Sequence, residues 1–151
     1  MLPHTQRRTG TRSDMHLAAL LAETPEFAGL AQDEIEKLVS ISAVMELSSG
    51  GTLYREDDPS DRIYVLMHGR LRVSRGDDFI GYISRLETVG EMGVLTGEAR
   101  TSTVRAVRDS VVLSIDADEY RHFMDMHPAG YRSLIKVAID RLRSDGAPKR
   151  L

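Results

Sequence analysis

Between Val44 and Asp116 the chain alternates apolar and polar residues in a series of short segments, and this period of two constrains its fold more than any other feature. Met45 and Leu47, Leu53, Ile63, Val65 and Met67, Leu71 and Val73, Ile80 and Tyr82, Val104 and Ala106, and Val111, Leu113 and Ile115 mark successive segments. Clusters of Gly, Asp, Pro and Ser separate them. Alternation turns one face of each strand inward, and turn residues at short intervals send the chain back antiparallel to itself. About eight strands spaced in this way predict an eight-stranded antiparallel β-roll of jelly-roll type over 44–116.

The period changes on both sides of the roll, giving a mainly β fold with flanking helices. Leu17, Leu20 and Leu21 predict a short amphipathic helix from Met15, which Pro25 breaks. A second helix is expected from Leu30 to about Ala43, with Ile35, Leu38, Val39 and Ser42 on one face and Asp33 and Glu34 in the first turn, where the macrodipole favours them. After the roll, Asp116-Ala117-Asp118-Glu119 has the form of a helix N-cap with Glu at the third helical position. Pro128 is suited to open a last helix whose Leu134, Ile135, Ala138, Ile139 and Leu142 follow the 3.6 period. The expected organisation is one domain over 15–144, with N-terminal helices at 15–43, the roll at 44–116 and C-terminal helices at 117–144. Residues 1–14, polar and without apolar period, are expected to form a disordered leader, and 145–151 a tail.

Composition removes several function classes. The 151 residues contain no cysteine, which excludes disulfides, thiolate metal sites and cysteine nucleophiles. No apolar run approaches the length of a membrane span, and none resembles a signal-peptide core. A cytoplasmic protein without a membrane partner is the expectation. A net charge of −3 argues against nucleic acid as the main partner. No nucleophile elbow, Walker loop, HExxH pair or Rossmann glycine pattern is present, so no catalytic residue is assigned and an enzyme is not expected. His122 and His127 lie five residues apart, a spacing that does not align them on one helix face, and no His-x-His pair exists. No metal site is therefore assigned, and a cupin-like metal enzyme is the least favoured alternative.

One segment carries chemistry: Gly90-Glu91-Met92-Gly93-Val94-Leu95-Thr96-Gly97-Glu98-Ala99-Arg100-Thr101-Ser102-Thr103-Val104. A glycine allows main-chain N–H groups close to an anion, and a helical turn starting at Glu91 would aim its amides at the same place. Arg100 supplies a planar fork that can hold two phosphate oxygens. Glu91 fits beside a phosphate if its carboxylate instead accepts a hydrogen bond from a neighbouring hydroxyl, such as a ribose 2′-OH. Together these groups suit a ribose carrying an anionic phosphate. Because the chain has seventeen arginines against three lysines, the spacing and not the presence of an arginine bears the argument.

At these residues the chain resembles the cyclic nucleotide-binding domain family, through Gly90, Glu91, Arg100, Thr103 and Val104. A second stretch of resemblance runs from Gly51 to Leu66 and through Gly69-Arg70-Leu71-Arg72-Val73. The resemblance implies a sensor of cyclic AMP, with cyclic GMP possible, that relays binding through its C-terminal helix to an unidentified protein effector. It implies ligand contacts from Gly90, Glu91, Met92, Arg100, Thr101 and Ser102, with Leu71 and Val73 as apolar contacts of the base and no cofactor beyond the nucleotide. Thr101 permits a guanine without requiring one, and Ser102 is expected to offer its backbone N–H. A stand-alone sensor is expected, its oligomeric state open. An interaction module with a degenerate pocket is the alternative. Two departures concern loops: Asp57 stands where the family usually has glycine in a tight turn, and Arg85-Leu86-Glu87-Thr88 lacks a Gly-Asp turn common before the cassette. Arg100, if reserved for ligand, should have no structural partner in the empty pocket, so that its loss would spare stability.

Overall fold

The computed structural model describes residues 4–6 and 12–145. Among the described residues nine strands form two antiparallel sheets. The first contains β1 (His4–Gln6), β2 (Ser42–Leu47), β9 (Ser110–Asp116), β4 (Arg62–His68) and β7 (Thr88–Val89), in that order. The second contains β3 (Thr52–Tyr54), β8 (Thr103–Ala106), β5 (Leu71–Arg75) and β6 (Asp78–Ile83). Eight of the nine lie in the predicted roll. The ninth, β1, pairs with β2 through Thr5 and Met45 and corrects the expectation of a disordered leader at His4–Gln6. Polar edge strands are held by main-chain hydrogen bonds and leave no apolar period to read. The rest of the leader before Arg12 and the tail from 146 lie outside the described residues.

Helices cover one face of the first sheet. They are α1 (Arg12–Ala22), a 3-10 helix at Pro25–Phe27, α2 (Gln32–Ser40), α4 (Ala117–Met126) and α5 (Pro128–Asp145), while the short α3 (Glu91–Thr96) interrupts the roll. Leu17, Leu21, Ile35, Leu38, Tyr120 and Leu134 from the helices meet Ile63, Val65, Met67, Leu113 and Ile115 in one apolar cluster. Tyr64, Leu66 and Val112, from the same two strands, point the other way into a second cluster with Leu53, Leu71, Val73 and Val104. The central strands are thus apolar on both faces, because one faces the roll interior and the other the helices. Among the described residues no helix is long and apolar enough to cross a membrane.

Two helix expectations need adjusting. The second helix ends at Ser40, so Ser42 belongs to β2, where it pairs with Ile115 and its hydroxyl donates to the Val39 carbonyl at 2.6 Å. Sheet pairing at this point overrides the helical period. On α5, Leu134 is buried as expected, but Ile135 and Ile139 remain 56% and 43% exposed, so the apolar face is only partly covered. The cap at Asp116 forms as predicted, its carboxylate accepting from the N–H groups of Asp118 and Glu119.

Glu34 joins α2 to the junction between α4 and α5. One carboxylate oxygen accepts the Ala31 N–H at 2.8 Å and the other lies 2.6 Å from His127 Nδ1. The bond from Ala31 holds the Glu34 carboxyl below its ordinary value of 4.5; desolvation opposes it, and the bond and charge of His127 add to the lowering. A depressed carboxylate pKa contributes stability above the ordinary value and loses it as pH falls through the lowered one. Glu34→Gln should therefore lower the melting temperature near neutral pH, and the gap to the parent protein should close as the pH falls below about 4.5. A pH-independent gap in calorimetry would remove charge as the cause.

Candidate functional site

The carboxylate-and-arginine segment folds around one glycine. Strand β7 delivers the chain to Gly90, whose φ of 88° starts α3 from the left-handed region. A side chain there would be strained by that angle, and a Cβ would come within 2.4 Å of Arg100 Nη1. Beyond α3, Ser60 donates to the Glu98 carbonyl at 2.6 Å, fixing the approach to Arg100. The Arg100 main chain is then clasped by the β3–β4 loop: its N–H donates to the Asp58 carbonyl and its carbonyl accepts from Asp57, both at 2.9 Å. Asp57 takes φ 69°, the positive angle expected of a residue that replaces a turn glycine.

The Arg100 side chain turns inward and is only 4% exposed. Its Nη1 donates to the Gly90 carbonyl at 2.9 Å and its Nη2 to the Arg62 carbonyl at 2.5 Å. The guanidinium lies 4.1 Å from the centre of the Tyr54 ring, which itself stacks on Tyr64. Arg100 Nε is buried and has no hydrogen-bond partner among the described residues. This arrangement corrects the expectation that Arg100 is without structural partners when no ligand is bound. A buried guanidinium must be solvated by something, and main-chain carbonyls with an aromatic face serve that purpose here.

A cleft of about 330 Å³ opens beside this arginine, lined among others by Tyr54, Arg75, Gly90, Met92, Arg100 and Thr101. Its volume is at the lower end of those that hold small ligands. Four of the residues expected at the site therefore come together: Gly90, Met92, Arg100 and Thr101. Four do not line the cleft. Leu71 and Val73 are fully buried in the roll interior, where alternation along β5 turns them inward. Ser102 is buried beside the Tyr54 phenol. Glu91, 2% exposed, sits behind the cleft wall, close enough to Tyr54 and Tyr120 to act on both electrostatically.

Burial raises the pKa of the Tyr54 phenol far above its ordinary value; Arg100 opposes this shift and Glu91 adds to it. Burial does the same to Tyr120, reinforced by Glu91 and then Glu26. Both phenols are neutral across the physiological range. Sequence reasoning missed Tyr54, which lies within the quoted Gly51–Leu66 stretch, and Arg75, hidden among many arginines. A second groove of about 410 Å³ lies where α2 meets α4, lined by Lys37, Ile41, His122, Phe123, Met126 and His127 among others. Its walls combine the apolar Ile41, Phe123 and Met126 with Lys37, Asp118, Glu119 and the two histidines, and none of these residues belongs to the cassette. Among the described residues no three His, Cys, Asp or Glu side chains gather as a metal site.

Comparison with known proteins agrees with this geometry. A family model described as cyclic nucleotide-binding domain matches residues 44–127, from within β2 to the end of α4. An NTE family protein of Mycobacterium tuberculosis is 25% identical over 146 residues, covering 96% of this chain and 25% of that protein. The chain spans 25% of that relative's length and 6% of a matching Mycosarcoma maydis lysophospholipase, which is 29% identical over 66% of this chain. Among solved structures, the sensor domain of the transcriptional regulator DNR from Pseudomonas aeruginosa superposes with a TM-score of 0.78 at 17% identity, covering 87% of this chain and 92% of that one. The regulatory domain of Toxoplasma gondii PKA with cAMP gives 0.71 at 16% identity, covering 78% and 47%. At these identities the two structures establish the shared fold.

The inward clasp has a measurable consequence. Arg100→Ala would leave the buried Gly90 carbonyl and the half-buried Arg62 carbonyl without their charged donor, so the ligand-free protein should lose about 3 kcal/mol of stability. For a domain of this size that is a fall of roughly 6 to 12 °C in melting temperature by scanning calorimetry. An unchanged melting temperature would mean that the guanidinium swings free in solution.

Proposed function

The chain belongs to the cyclic nucleotide-binding domain family, and from that premise we propose that it is a sensor of cyclic AMP, with cyclic GMP as a weaker second ligand. The observation that carries this reading is a buried guanidinium beside a cleft, with Gly90 leaving it room that a Cβ would fill and with Nε unpartnered among the described residues. An anion entering the cleft would offer Arg100 stronger acceptors than two main-chain carbonyls, because charge-assisted bonds are about twice as strong as neutral ones. Thr101 at the rim offers a hydroxyl to the phosphate or to a purine. For Glu91 to reach the ribose 2′-OH, the turn at the start of α3 must rotate it out of its present buried position.

Binding is relayed, in this proposal, to α5. That helix rests on the 3-10 helix and on the loop after it, where the Gly29 N–H donates to Ser133 Oγ at 2.9 Å. The 3-10 helix in turn contributes Glu26, whose carboxylate accepts from the Thr88 hydroxyl at 2.7 Å, two residues before Gly90. A ligand that prefers the rearranged cassette shifts this chain of contacts and frees α5 to close over the base. A protein effector reads the new position of α5, in the cytoplasm and without catalysis by this chain. The relatives that carry a similar segment within a much longer protein are consistent with a regulatory module.

Isothermal titration should show cyclic AMP binding at micromolar or better affinity, about 8 kcal/mol, and weaker but measurable binding of cyclic GMP. No heat with either nucleotide at millimolar concentration would favour the alternative of an interaction module whose pocket is degenerate. The ribose contact is tested separately. Glu91→Gln in the protein, or 2′-deoxy cyclic AMP as the ligand, should each cost about 1.5 to 3 kcal/mol of binding. Equal affinity for ribose and deoxyribose ligands would leave Glu91 a role in holding the folded cassette only.

A further inference from the structure

Arg75 is the second guanidinium of the cleft. It ends β5, where it is exposed, and its Nε donates to the Thr101 carbonyl at 3.0 Å. That bond orients the side chain along the residue that follows Arg100. Asp78 faces Arg75 across the β5–β6 hairpin and Glu98 lines the same cleft, but Arg75 makes no ion pair with a described residue. Its two terminal nitrogens make no hydrogen bond within the described protein. Arg100 is the opposite case: it is buried, with both terminal nitrogens already donating to carbonyls. An anion arriving from solvent meets an available fork on Arg75 and an occupied one on Arg100.

We infer that Arg75 is the residue that first captures the anionic phosphate of the ligand, and that Arg100 takes it over in a second step by releasing the Gly90 and Arg62 carbonyls. This rests on the reading of the cleft as a cyclic nucleotide site. Division of labour follows from exposure. A solvent-facing cation in a cleft raises the encounter rate with an anion and is screened by salt, whereas a buried cation sets how slowly the bound anion leaves. The first step leaves the main-chain clasp intact. The second exchanges two neutral acceptors for a charged one and moves the Gly90 carbonyl, so it is the step that alters the cassette.

Stopped-flow binding of a fluorescent cyclic AMP analogue to the whole chain separates the two roles. Arg75→Ala should lower the association rate constant about fivefold or more at low salt while changing dissociation by less than about twofold. The salt dependence of association should flatten in the same variant. Arg75→Lys should keep most of the rate, since a point charge suffices for capture. Arg75→Gln keeps a donor for the Thr101 carbonyl without the charge, and should be as slow as the alanine variant. A glutamine variant with the parent rate would overturn the inference, assigning Arg75 to the positioning of Thr101. An alanine variant with unchanged association would overturn it equally. If the parent protein binds neither cyclic AMP nor cyclic GMP in equilibrium titration, the function proposed for the cleft fails and this inference with it. Nucleotide binding with normal association by the Arg75 variants removes only the capture step.

Discussion

The structure is organised around the burial of one positive charge. Arg100 joins three parts of the chain that are distant in sequence: the β3–β4 loop through its main chain, the first residue of β4 through Arg62, and the cassette through Gly90. Neutral groups hold it, the carbonyls by hydrogen bonds and Tyr54 through its ring face. Such an arrangement is adequate for a guanidinium but weaker than a carboxylate or phosphate would be. The buried clasp thus ties the cassette to the roll while leaving Arg100 without a charged partner among the described residues, and both properties come from the same side chain. Gly90 is the condition for this, since any other residue would occupy the space into which Arg100 folds.

The roll was legible in the sequence because alternation and turn residues act locally, and the cassette because glycine and arginine at fixed spacing answer to demands on backbone and charge. What stayed hidden depends on partners distant in the chain. Strand β1 is fixed by main-chain pairing with β2 and has no apolar signature. The end of α2 is decided by the pairing of Ser42 with Ile115, and the exposure of Ile135 and Ile139 by where α5 rests. At the site, the positions of Gly90 and Arg100 could be read, but not the direction in which the arginine points. Leu71 and Val73 show the limit from the other side: inward-facing residues are easily recognised, while whether the inside is core or cavity depends on the opposite sheet.

Loop departures from the family pattern show how strain is accommodated. Leu86 adopts φ 66° immediately before the cassette, in a region that costs a side-chain-bearing residue about 1 to 2 kcal/mol. Its N–H donates to the Leu66 carbonyl at 2.6 Å and its side chain packs against the helical cluster. A leucine here exchanges conformational ease for an apolar contact that glycine could not make. At Asp57 the compensation is different. The turn is held by its main-chain bond to Arg100 and by the Asp58 carboxylate, which accepts the Arg55 N–H at 2.9 Å.

Strands β4 and β9 belong to both apolar clusters at once, with Ile63, Val65 and Leu113 on one side and Tyr64, Leu66 and Val112 on the other. They act as a party wall between two rooms: one layer of backbone, furnished on both faces, with no slack layer to absorb a change in either. A substitution that widens Tyr64 or Leu66 must press through the shared backbone on residues that never touch it. Sequence drift on the two faces should accordingly be correlated, with tolerated changes arriving in compensating pairs across the wall, while the loops around it vary independently.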